Sequence, residues 1–302
     1  MIRVYLVPCQ QLPSFRLAQP TFPDSMATPT LSRHQLPGTL GEILIDLRTG
    51  DRESQRPAVV VLPGFKGFKD FGPFPALGER LARAGFTALS LSVSGSGVDE
   101  VGEFTRLDRF AANTISAELA DLAAVFAALD EGGLGVARPS AIGLVGHSRG
   151  GGVALLFADR TPRVQALVTW AGVSTFERWS VPEAAQWRRD GVTTVPNQRT
   201  GQQLPLGTEL LDDVEHHREA FDLIAAAARI RVPWLLAHGT ADETVPVEEG
   251  RALASASDGR ATTLWLEGAL HAFGGAHPFV GLTPHLARLF DATVAHFGRH
   301  LP

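Results

Sequence analysis

A chain of 302 residues, 44% hydrophobic and 20% charged, has material for one large α/β domain or two small ones around an ordinary core. A net charge of −5 with no block of lysines or arginines argues against nucleic acid as a partner. The single Cys9 excludes an internal disulfide, and no apolar stretch approaches the roughly 18 residues of a membrane span. The expected compartment is the cytoplasm.

Residues 1–37 differ from the rest. Pro8, Pro13, Pro20, Pro23, Pro29 and Pro37 interrupt them, and no hydrophobic period is sustained. Ile2 to Val7 is too short and too broken for a signal peptide. The segment reads as a Pro-rich, disordered arm, or as sequence upstream of a true start at Met26.

From residue 38 to residue 302, strand-like and helix-like segments alternate. Leu40 to Leu47 alternates enough for an antiparallel edge strand. Ala58-Val59-Val60-Val61-Leu62 is the continuous apolar run of a strand buried on both faces. A helix is expected from Phe74 to Ala84, stopped by Gly85, and a strand from Phe86 to Leu91. Asn113 is the expected cap of a long helix running through Leu129 to Gly132-Gly133. Further strands are expected at 141–145, 164–168, 232–237 and 262–266, with helices near 247–256 and 283–297. Repeated βα units with short buried strands mean a mostly parallel sheet wrapped by helices.

The most informative segment is Gly146-His147-Ser148-Arg149-Gly150. It follows the apolar run Ala141 to Val145 and opens the small-residue segment Gly151-Gly152-Val153-Ala154. A buried strand, a sharp turn and a helix are the setting that a G-x-S-x-G nucleophile elbow requires, and they mark Ser148 as a nucleophile. The backbone N–H of Arg149, at the start of that helix, is placed to stabilise an oxyanion.

Element order and motifs resemble the α/β-hydrolases over about residues 38–300. Enzymes of that fold carry their triad in the chain order serine, acid, histidine. The resemblance assigns the acid to Asp242, in His238-Gly239-Thr240-Ala241-Asp242-Glu243, with Glu243 a weaker competitor. Asp212 and Asp213 suit a solvated surface better. It assigns the base to His271, in Glu267-Gly268-Ala269-Leu270-His271, with His277 the rival in the same loop. His147 is expected to pack under the elbow and His238 to support the acid loop. The loop Pro63-Gly64-Phe65-Lys66 matches the oxyanion loop of the family, with Phe65 supplying the second N–H and Pro63 standing where a histidine is usual.

The string Gly64-Phe65-Lys66-Gly67-Phe68-Lys69-Asp70, together with Glu103 to Leu107, is similar to the dienelactone-hydrolase-like and prolyl-oligopeptidase-related esterases. True dienelactone hydrolases use a cysteine nucleophile, so serine here counts against dienelactone as substrate. About fifty residues, 172–220, form a cap or lid insertion. Its Phe176, Trp179 and Trp187 either line an acyl pocket or bury the cap on the core. Lys66 and Arg149 either face solvent or recognise an anionic group on the substrate.

Together these residues point to a serine esterase acting on small or medium soluble esters through an acyl-enzyme, with no metal or organic cofactor. A peptidase or amidase, a thioesterase, and a catalytically silent binding module on the same fold are the alternatives.

Overall fold

The computed structural model describes residues 28–301. Its main sheet has eight strands in the order β1-β2-β4-β3-β5-β6-β9-β10. The strands are β1 (Thr30–Pro37), β2 (Glu42–Thr49), β3 (Ala58–Leu62), β4 (Thr87–Ser92), β5 (Ile142–His147), β6 (Ala166–Trp170), β9 (Trp234–Gly239) and β10 (Ala261–Leu266). β1 and β2 are antiparallel, as are β2 and β4, while every pairing from β4 to β10 is parallel. Parallel strands need covering on both faces, which is why β3 and β6 are wholly buried and uniformly apolar or nearly so. Helices α1 (Phe74–Arg83) and α9 (Pro284–His300) cover one face through Leu77, Leu81, Leu289 and Phe290. On the other face lie α3 (Ile115–Glu131), α4 (Arg149–Arg160), α7 (Leu223–Arg229) and α8 (Val247–Ala256).

The chain leaves β3 for β4 on one side and returns to β5 on the other. The loops after β3 and β5 therefore diverge, opening the crevice at the carboxyl edge where such sheets bind ligands.

Three local expectations need correction. The segment at 42–49 is not an edge strand: β1 lies outside it, paired over all eight of its residues. Thr30–Pro37 thus belongs to the sheet, and the boundary at residue 38 falls inside a hairpin. Its side chains are only half-buried or exposed, so apolar periodicity could not reveal it. Met26 and the rest of the proposed arm lie outside the described residues. The cap of α3 is Thr114, which accepts from the Ala117 N–H. Asn113 is instead drawn into the interior, where its Nδ2 donates to Glu118 Oε1 at 2.8 Å.

The insertion between β6 and β9 is more regular than its composition implies. It holds α5 (Val181–Asp190), a hairpin of β7 (Val192–Pro196) with β8 (Gln203–Gly207), and α6 (Glu209–His216). Ser180 and Glu183 form a reciprocal capping box at the start of α5. A short helix, α2 (Leu107–Ala111), also escaped sequence reading.

Candidate active site

At the end of β5 the chain turns through Ser148, whose φ is 56° and ψ is −123°. A non-glycine residue held there is strained, and such strain persists only where the surroundings enforce it. They do. A methyl on Gly146 would strike the Gly150 carbonyl oxygen, and one on Gly150 would strike the Pro63 carbonyl oxygen. The Ser148 N–H donates to the Trp170 carbonyl at 2.9 Å, tying the turn to β6. Although Ser148 is the N-cap of α4, its side chain makes no capping bond, so the Oγ stays available.

Two loops at the same sheet edge bring an acid and a histidine together. His271 Nδ1 donates to Asp242 Oδ2 at 2.8 Å, while Asp242 Oδ1 accepts from the Thr244 and Val245 N–H groups, each at 2.9 Å. Burial by itself would raise the Asp242 pKa, but the His271 bond and these backbone donors outweigh it and hold the carboxyl below its ordinary value. Because Nδ1 is engaged, Nε2 is the ring nitrogen left for proton exchange. No hydrogen bond joins His271 to Ser148 Oγ among the described residues. The His271 ring centroid lies 4.8 Å from that of His147, the residue preceding Ser148.

The neighbouring histidines support this pair. His147 Nε2 donates to the His271 carbonyl at 3.1 Å. Desolvation, and then the adjacent His271, push the His147 pKa down to about 3 even though the residue keeps some surface, so it stays neutral. His238 is fully buried, donates from Nε2 to the Val245 carbonyl at 2.9 Å, and is lowered by burial. His277 turns away: its Nδ1 accepts from the Gly72 N–H at 3.0 Å and its ring stacks on Phe71. It therefore fastens the last loop to the loop after β3.

The loop after β3 meets the elbow at close range. A Cβ on Gly64 would stand 2.8 Å from Ser148 Cβ, and Gly67 N–H closes a turn on the Gly64 carbonyl at 2.9 Å. Neither the Phe65 nor the Arg149 N–H has a partner among the described residues. Two unspent donors flanking a serine, one at a helix N-terminus, can stabilise negative charge on a bound oxygen.

The sequence model of the family described as "alpha/beta hydrolase fold" matches residues 57–220, more than half of the chain. The chain belongs to the α/β-hydrolase family. Among solved structures, the esterase domain of a Rhodothermus marinus protein aligns at 18% identity and TM-score 0.62, covering 90% of this chain and 100% of that one. A dienelactone hydrolase from Anabaena variabilis aligns at 17% and 0.59, covering 91% and 100%. A puromycin-hydrolyzing peptidase of Mycobacterium tuberculosis aligns at 19% and 0.63, covering 90% of this chain but 39% of that one. No curated protein matches. At these identities the structural likeness concerns the fold.

Other expected substrate contacts in this α/β-hydrolase have different surroundings. Lys66 Nζ donates to the Pro196 carbonyl at 3.1 Å, fastening the loop after β3 to the β7–β8 hairpin. The Arg149 guanidinium is largely withdrawn from solvent and pairs with buried Glu118 at 2.5 Å. Trp187 is buried, donates to the Leu206 carbonyl at 2.9 Å and meets half-buried Trp179 edge-on. Phe176 packs on Phe221 beside a cavity of about 300 Å³ that Ser148 does not line. Phe176 and Trp187 belong to the main hydrophobic cluster, and Trp179 packs against it. Asp213 also departs from its expected solvated role. Its carboxylate accepts from the Ser116 N–H and Oγ at 2.9 and 2.5 Å, joining the cap to α3, whereas Asp212 remains exposed and pairs with Arg188.

Proposed function

We propose that the chain is a serine hydrolase of carboxylic esters, acting on small or medium soluble substrates. The observation that carries this reading is the strained, uncapped Ser148 at the carboxyl edge beside an Asp242–His271 pair joined at 2.8 Å. His271 Nε2 accepts the Ser148 proton as Oγ attacks the ester carbonyl, and Asp242 stabilises the imidazolium that forms. The Phe65 and Arg149 N–H groups receive the oxyanion. His271 then protonates the leaving alcohol, and water, activated by the same histidine, releases the acid and restores Ser148. The names of the solved neighbours include both an esterase domain and a peptidase, so the choice of ester over amide is left to the substrate panel below.

Fluorophosphonate labelling with a panel of p-nitrophenyl esters, thioesters and aminoacyl amides tests the reading. The wild type is expected to label and to favour esters. Ser148→Ala is expected to lose label and at least about 10⁴-fold in kcat while keeping its melting temperature. Appreciable ester turnover by pure Ser148→Ala removes Ser148 from the mechanism, and a preference for amides or thioesters replaces the substrate class.

A further inference from the structure

The two residues proposed to supply the oxyanion donors also touch through their side chains. Arg149 Cζ lies 4.6 Å from the centroid of the Phe65 ring, and the Phe110 centroid stands 5.5 Å from the same ring. Planar guanidinium groups favour such stacking on aromatic faces. The arginine does not lie there freely. Its side chain is only 16% exposed, and its charge is met by Glu118 at 2.5 Å, itself 4% exposed. Asn113 holds Glu118 through Nδ2 at 2.8 Å, and a Cβ on Gly95 would collide with the Asn113 amide. A rigid line therefore runs from α3 through Glu118 and Arg149 to Phe65.

This arrangement is poor economy for stability alone. A cation at the first position of a helix opposes the helix dipole, and burying an ion pair carries a desolvation penalty that apolar packing avoids. What the network does provide is geometry. Gly64 is close against Ser148, and Phe65 with Lys66, at φ 62°, forms the centre of the turn that the Gly67 N–H closes on the Gly64 carbonyl. The Phe65 side chain is the handle on that turn.

We propose that the Arg149 side chain is a positioning residue that, anchored on Glu118, holds Phe65 and so sets the spacing between the two oxyanion donors. The inference rests on the esterase reading. A contact that acts only on transition-state geometry lowers kcat and leaves KM nearly unchanged.

The test is steady-state kinetics on a neutral p-nitrophenyl ester, with the fluorophosphonate inactivation rate as a second readout. Arg149→Met and Phe65→Leu are each expected to lower kcat about 10- to 100-fold, less than full removal of one donor. KM should move less than about threefold, and inactivation should slow in step with kcat. Because both changes cut the same contact, the double variant should lose little more than the worse single, not the product of the two. Phe65→Tyr, which keeps the ring, should recover most of what Phe65→Leu loses. Should Arg149→Met fail to fold because Glu118 is left unpaired, Arg149→Met/Glu118→Gln removes both charges, and the same kcat loss is expected. An active wild type whose Arg149→Met or charge-free double variant keeps kcat within twofold overturns the inference. Multiplicative losses in the Arg149/Phe65 pair overturn it too. A wild type that neither turns over esters nor labels overturns the esterase reading, and this one with it.

Discussion

A methyl group placed on Gly150 would collide with the Pro63 carbonyl, whereas one on Gly201, in the cap hairpin turn, would meet nothing within 4 Å. Around Ser148 the backbone of one element is the packing surface of the next, so nothing can shift without moving the strand beside it. The cap is fastened differently, by side chains. Lys66 donates to Pro196, Gln202 to the Phe104 carbonyl at 3.0 Å, and Asp213 receives Ser116. Where a serine must sit in a strained conformation, close backbone packing enforces it. The insertion between β6 and β9 is held by buried side chains such as Trp187, Leu204 and Leu211 together with these polar contacts, and its exposed turn is left free of backbone packing.

The largest expected effect tests which loop residues belong with the elbow. Asp242→Asn and His271→Ala should each lower kcat/KM by on the order of 10⁴-fold, through the wrong tautomer and the missing base. His277→Ala and Asp212→Asn should stay within a few-fold of wild type, since one is a loop fastener and the other an exposed partner of Arg188. A dead His277 variant beside an active His271 variant would reverse the assignment.

Stability measured by urea unfolding sharpens the contrast next. Gly150→Ala should cost about 3 kcal/mol or more, because backbone atoms cannot give way. Gly201→Ala, at φ 73° in open space, should cost about 1 kcal/mol, the ordinary strain of a left-handed residue. Equal costs would remove the distinction between the two regions.

Acid acts on buried histidines, among them His147 beside the elbow and His296 in α9. His147 is neutral when folded, with its pKa pushed to about 3 from 6.5, so between these values the unfolded chain binds the extra proton. Its contribution is complete above pH 6.5 and is lost as pH falls toward 3. His147 should contribute up to about 3 kcal/mol to the drop in unfolding free energy between pH 6.5 and 4, and His147→Gln should make that limb shallower. An unchanged slope in His147→Gln would mean that other groups carry it.

The smallest effect concerns the cap tether. Lys66→Met removes one donor to Pro196 and should cost under about 1 kcal/mol. It should also speed protease cleavage within residues 197–202 severalfold. Cleavage at the wild-type rate would show that the hairpin is held without Lys66.

Much of this was legible residue by residue. Ala58 to Leu62 and Ala141 to Val145 are apolar throughout because strands buried on both faces must be, and the glycines around Ser148 mark a turn without room for side chains. The loops after β9 and β10 carry Asp242 and His271 just past their strands, where their order could be read. The hydrophobic period, the turn residue and the strand end are local properties, and local energies are written in neighbouring letters. Decisions between equivalent neighbours were not. Thr114 rather than Asn113 caps α3 because buried Glu118 claims the asparagine amide. Asp213 rather than Asp212 turns inward because α3 presents Ser116 to it from 97 residues away. β1 carries no apolar stripe and exists through backbone pairing with β2. The charge on Arg149 acquires its role only when Glu118, 31 residues earlier, folds against it. Each of these depends on which distant groups the closed chain brings within hydrogen-bonding range, and only the tertiary structure decides that.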